Sequence, residues 1–173
     1  SYEAIWVNEG MEEDYLSVEE MWSEVKKQAI ADDIQDFWIV FKLDKDPANE
    51  DDIKKPDYIV MNGFKDDEQR TKQTNWKELA QKVYKGKMSK RKFEMAWEKT
   101  PTVRKETRTF LVERLDNTVW NAPDEGQTLS FYFNGFQALN EDYENYEMKF
   151  FKKWHEKRTN AGAHAWWEFN IVI

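Results

Sequence analysis

Apolar positions along this chain follow two rhythms. Short runs at residues 3–8, 36–43 and 57–64 are rich in aromatic and β-branched side chains, the composition of strands. Between them, Val18, Met21, Trp22, Val25 and Ala29 recur at helical spacing, as do Trp76, Leu79, Ala80 and Val83. Those stripes predict helices over 17–30 and 75–85. Ser17-Val18-Glu19-Glu20 has the form of a capping box and marks the start of the first; Gly86 stops the second. A shorter helix near 89–98 carries Phe93, Ala96 and Trp97, Pro101 marks its exit, and a strand over 105–115 comes next. After the polar stretch 116–127 the rhythm restarts. A strand over 128–136 leads to a helix over 141–159 with the stripe Tyr143, Tyr146, Phe150 and Trp154; Gly162 ends it, and a strand over 164–173 closes the chain.

Three segments share an apolar strand followed by an asparagine near a glycine: Trp6-Val7-Asn8-Glu9-Gly10, Val60-Met61-Asn62-Gly63 and Tyr132-Phe133-Asn134-Gly135. Tyr15 lies 23 residues before Trp38, and Tyr143 lies 23 before Trp166. The first two units spell β-α-β-β-α-β, the ferredoxin-like order. The prediction is therefore an α+β fold: residues 1–116 form an antiparallel sheet with helices on one face, and 117–173 add a partial β-α-β repeat packing on or extending that sheet.

Alternation sorts each strand into two sets. Ile5, Val7, Phe37, Ile39, Phe41, Ile59, Met61, Phe131, Phe133, Trp167 and Phe169 are almost wholly apolar and are expected against the helices. The opposite set mixes rings with polar tips: Trp6, Asn8, Trp38, Tyr58, Asn62, Tyr132, Asn134, His164, Trp166 and Glu168. Aromatic walls with a few polar groups are how ligand cavities are lined. Subunit interfaces favour the same residues, so a homodimer is the alternative unless the third unit closes the sheet.

Composition narrows the partners. The chain has 26 Lys and Arg against 34 Asp and Glu, a net charge of −8, which disfavours nucleic acid and anionic membranes. The basic strip Lys82, Lys85, Lys87, Lys90, Arg91 and Lys92 reads as a solvated face. No run approaches the roughly 20 apolar residues of a membrane helix. With no cysteine, disulfides and thiolate chemistry are excluded. A start at Ser1, without methionine or signal peptide, fits a cytoplasmic protein or an exported and trimmed one, so compartment stays open. Nine tryptophans in a chain that is 35% charged indicate a bulky, ring-filled interior.

Chemical motifs are few. There is no phosphate-binding glycine loop, no nucleophile elbow and no His-rich metal pattern, so neither a metal nor a cofactor is expected. His164 and Glu168 are the candidate catalytic pair, since a carboxylate beside Trp166 would be raised by desolvation and suit proton transfer. Pairing of Glu168 with Arg108 or Arg114, and a capping role for His164, are the structural alternatives. Trp6, Asn8, Trp38, Tyr58, Asn62, Tyr132, Asn134 and Trp166 would line the ligand site around a small hydrophobic or aromatic molecule. Each asparagine-glycine pair also reads as strand-end turn chemistry.

The strand order, the strand-end Asn8, the Tyr58-to-Asn62 strand and the Val103-Arg104-Lys105-Glu106 to Leu111-Val112-Glu113-Arg114-Leu115 ending give a resemblance to the dimeric α+β barrel superfamily. That group includes antibiotic-biosynthesis-type monooxygenases and stress-responsive barrel proteins. The resemblance covers about residues 2–115 and implies a homodimeric barrel that binds a small molecule or acts on it without a cofactor. Its haem-degrading branch uses an asparagine on the first strand, a tryptophan and a helix histidine. Asn8 and Trp76 match the first two, whereas no histidine lies between residues 1 and 154. Haem binding through His155 or His164, and a non-catalytic assembly role, are the alternative functions.

Overall fold

The computed structural model describes residues 1–122, 124 and 129–173, which form two compact units, Ser1–Leu111 and Val112–Ile173. In the first, β1 (Tyr2–Val7), α1 (Glu12–Ala31) and β2 (Phe37–Lys42) are followed by the short α2 (Glu50–Lys54) and by β3 (Tyr58–Gly63). Then come the short α3 (Asp67–Thr71), α4 (Trp76–Tyr84), α5 (Lys90–Lys99) and β4 (Arg104–Phe110). The sheet runs β2-β3-β1-β4 with every neighbouring pair antiparallel. The order β-α-β-β-α-β is thus present, as a four-stranded antiparallel sheet with helices.

Tyr15 and Val18 of α1 pack on Ile5, Tyr58 and Val60 of the sheet, and Val25 and Ala29 pack on Leu79, Ala80 and Phe93 of α4 and α5. Trp22 touches both clusters and joins the helices to the sheet. α1 starts five residues before the predicted capping box, leaving Ser17 inside it; Glu12, Glu13 and Asp14 occupy the first turn, where the helix dipole favours acids.

The expected facing of β2 and β3 is reversed. Trp38, Val40, Tyr58 and Val60 belong to the core beneath the helices. Phe37, Ile39 and Phe41, with Ile59 and Met61, fall on the opposite face, because β2 and β3 pair Val40 with Val60 and β1 and β3 pair Ile5 with Tyr58. Both faces of Phe-Trp-Ile-Val-Phe are apolar, so the strand's own pattern carries no phase. Phe37 lies across from Gly63; a Cβ on that glycine would stand 2.1 Å from the Phe37 ring.

The predicted strand 105–115 is interrupted at Leu111. In the second unit β5 (Val112–Asn117) pairs antiparallel with β6 (Glu168–Val172). Between them lie α6 (Tyr143–Tyr146), a π-turn over Glu147–Phe151 and α7 (Lys152–Asn160), one continuous helical run. The strand expected over 128–136 does not form: residues 129–138 have no regular structure, and Thr128 lies outside the described residues. Among the described residues the second unit holds a two-stranded ribbon and a helix in place of the expected partial β-α-β repeat. Among the described residues no helix is long and apolar enough to cross a membrane.

Candidate functional site

Two charged residues fall inside the apolar stripe of α1 one heptad apart, Glu19 and Lys26, so the helix carries them toward the sheet beside Trp22. There they line a cavity of about 320 Å³. Trp22, Trp38 from β2 and Trp76 from the first turn of α4 supply ring walls, with Val60 and Phe64 completing the apolar lining. The polar lining consists of Glu3, Glu19, Lys26, Asn62, Thr100 and Arg104, together with Ser1.

These polar groups form one network. Lys26 Nζ donates to Gln35 Oε1 at 2.8 Å and to Asn62 Oδ1 at 3.1 Å, and sits 4.0 Å from the centre of the Trp76 ring. Asn62 Nδ2 donates to Glu3 at 2.9 Å. Arg104 donates from Nη1 to Glu3 at 3.4 Å and from Nη2 to Glu19 at 2.9 Å. Burial pushes Lys26 down to about 8, against the pull of Glu3 and Glu19. Burial also raises Glu19, and Arg104 opposes that shift.

Three polar atoms on this wall have no hydrogen-bond partner among the described residues although they are shielded from solvent: Trp22 Nε1, Arg104 Nε and Thr100 Oγ1.

A second hollow of about 390 Å³ lies at the end of β1 and includes Asn8 and Tyr58. Here the side chains satisfy one another. Tyr58 Oη donates to Glu12 at 2.8 Å, Lys42 pairs with Glu12 at 2.7 Å, and Lys45 pairs with Asp57 at 2.7 Å. Asn8 Nδ2 donates to the Thr102 carbonyl at 2.8 Å, which makes it a strand-end clasp.

The sequence-derived site residues are therefore divided. Trp38 and Asn62 line the tryptophan cavity, while Asn8 and Tyr58 line the second hollow. Trp6 lies on the opposite face of the sheet, donating to the Lys54 carbonyl at 2.9 Å beneath the Arg108 guanidinium. The remaining five belong to the second unit. Tyr132 and Asn134 are exposed on the irregular segment, and Trp166 meets Trp120 edge to face. His164 Nε2 accepts from Arg158 Nε at 3.0 Å, and burial lowers it. Glu168 is met by Arg114 at 3.5 Å and accepts from Asn170 Nδ2 at 2.7 Å. Nearby, His155 stacks on Trp167 with ring centres 5.0 Å apart. Among the described residues no group of three or more metal-ligating side chains is assembled.

Sequence reasoning missed Glu3, Glu19, Trp22, Lys26, Thr100 and Arg104 as lining residues, and met Trp76 only through the family resemblance. The signal was the pair of charges at 19 and 26 inside a stripe otherwise reserved for Tyr15, Val18, Trp22, Val25 and Ala29.

No protein-family model, curated protein or solved structure matches the chain.

Proposed function

We propose that Ser1–Leu111 is a ferredoxin-like unit of the dimeric α+β barrel kind, and that it binds a small, flat, largely apolar molecule in the tryptophan-lined cavity. The sheet order supports the first part. The single observation carrying the second is a cavity of about 320 Å³ lined by three tryptophans and by the hydrogen-bonded Lys26–Asn62–Glu3–Arg104–Glu19 network. Its volume is at the small end of ligand sites and suits one or two fused rings. Burial raises Glu19, the direction that suits a carboxylate exchanging protons, so cofactor-independent acid–base chemistry on the bound molecule belongs to the same reading.

Native mass spectrometry of the purified protein, followed by titration with naphthalene and detection by tryptophan fluorescence, tests this. Binding is expected to weaken about tenfold or more in Trp76→Leu, the loss of roughly 1.4 kcal/mol of ring contact. It should persist in Trp6→Phe, on the other face. Absence of any naphthalene binding at millimolar concentration would sink the reading.

An assembly role is favoured by a different observation: Tyr146, Phe150 and Trp154 of the second unit are each at least half exposed. Rings repeated on one helix at that exposure are what an interface presents. Sedimentation of the intact chain as a concentration-independent monomer would refute it.

A further inference from the structure

Resting on the reading of the tryptophan cavity as a binding site, we infer that Lys26 Nζ is a nucleophile there, capturing flat aromatic aldehydes as a reversible imine. Besides Gln35, the groups around Nζ are Asn62, Trp76 and Trp22, the last with its ring centre 5.8 Å away, and all three line the cavity. Nζ donates to two neutral amide oxygens, those of Gln35 and Asn62. The two carboxylates of the lining are spent on other donors: Glu19 takes Arg104, and Glu3 takes Arg104 and Asn62. Burial then brings Lys26 down to about 8, with Glu3 and Glu19 pulling the other way. At about pH 7 roughly one Lys26 in ten is neutral, against about one in 3,000 for a lysine at 10.5. A desolvated lysine in an apolar pocket is an activated nucleophile toward carbonyls.

The hydrogen bonds aim its lone pair. A neutral amine has two N–H groups, enough for Gln35 Oε1 and Asn62 Oδ1. The lone pair takes the third position, on the side of the Trp76 ring, where an aldehyde lying along the tryptophan walls brings its carbonyl carbon. The ammonium first gives one proton to water. The lone pair then forms the N–C bond while the carbonyl π pair moves to oxygen, which takes up that proton. A second proton passes from nitrogen to the hydroxyl, which leaves as water as the C=N bond forms. The product is a protonated imine with one N–H, and no oxidant or reductant is consumed. Asn62 Oδ1 also accepts from Gln35 Nε2 at 3.2 Å, so the remaining N–H can serve Gln35 Oε1 with neither amide oxygen stranded. The Ser1 ammonium lines the same cavity, donates to the Asn62 carbonyl at 2.7 Å and is the rival amine. The Trp22 and Trp76 rings at Nζ favour Lys26.

The test adds naphthaldehyde to the intact protein at about pH 7, traps the imine with sodium cyanoborohydride and locates the adduct by peptide mapping. Lys26 is expected to carry at least about tenfold more label than any exposed lysine. Excess naphthalene should suppress the label on Lys26 severalfold and leave the exposed lysines unaffected. Lys26→Arg, which keeps the cation, should remove the adduct. If that variant folds poorly, Trp76→Leu supplies the reading by cutting the label on Lys26 severalfold. Label on Ser1, or spread evenly over the lysines, overturns the inference. An unlabelled Lys26 in a protein that binds naphthalene also overturns it and leaves the cavity reading standing. Neither label nor naphthalene binding removes both together.

Discussion

Two helices in this protein advertise the same pattern and meet opposite fates. In α1 the stripe is interior: Tyr15 and Val25 are fully buried and Val18 is 2% exposed. In the second unit Tyr146, Phe150 and Trp154 are 50, 65 and 51% exposed. Periodicity says which side chains share a face; it does not say that anything covers them. α1 finds a four-stranded sheet and two further helices, whereas the helix of the second unit accompanies only a two-stranded ribbon. The π-turn over Glu147–Phe151 adds to this difference. One extra residue in a turn rotates the rest of the helix by about 100°. Beyond it, Lys152, His155 and Thr159 reach Asp116, Trp167 and the side chain of Asn121 respectively, while the Phe150 and Trp154 rings stay half or more exposed.

The sharpest way to break that comparison is to remove one ring from each unit. Phe93→Ala, at a site 3% exposed, is expected to cost about 3–5 kcal/mol in urea denaturation. Phe150→Ala should lie within about 0.5 kcal/mol of the parent. Equal costs would mean that the exposed stripe is covered in solution.

A smaller effect tests the reversed facing of β2. Gly63→Ala would drive a methyl group to 2.1 Å from the Phe37 ring, so the ring or the strand must move. A loss of about 1–3 kcal/mol is expected, with partial recovery in the double variant Gly63→Ala/Phe37→Leu. If Gly63→Ala melts like the parent, Phe37 does not lie across that glycine.

The smallest expected effect concerns pH. Burial first, then the positive charge of His164 and Arg158, lowers His155 below its ordinary 6.5. A histidine lowered in the folded state binds fewer protons there than when unfolded. Stability is then fully present above 6.5 and declines as pH falls below it toward the folded value. His155→Phe should flatten the fall in melting temperature between about pH 7.5 and about pH 5 relative to the parent. An unchanged slope would show that His155 titrates normally.

Much of the first unit was legible because its signals are local. The stripe Trp76, Leu79, Ala80 and Val83 fixed α4 to within a residue at each end, and the Tyr58–Gly63 strand was equally plain. What failed depended on pairing. The phase of Phe37 to Lys42 comes from Val40 lying opposite Val60, a fact no single strand contains. The run Phe131-Tyr132-Phe133 has strand composition, yet no neighbouring strand pairs with it among the described residues. The candidate site was half legible. Trp38 and Asn62 line one cavity, which lies beneath the helices rather than on the far face of the sheet. Lys26 was invisible as a site residue because a lysine on a helix is ordinarily solvated; only the tertiary fold brings Gln35, Asn62 and Trp76 to it.

The Lys26–Asn62–Glu3–Arg104–Glu19 network also constrains how this chain can diverge. Each member serves at least one other, so a lone replacement strands a buried partner, and reaching an apolar lining requires coordinated changes on α1, β1, β3 and β4. The rings of Trp38 and Phe64 carry no such obligation, whereas Trp76 is tied to the network by Lys26 Nζ, 4.0 Å from the centre of its ring. Descendants of this sequence should therefore vary the shape of the cavity at its aromatic walls long before they alter its polar floor.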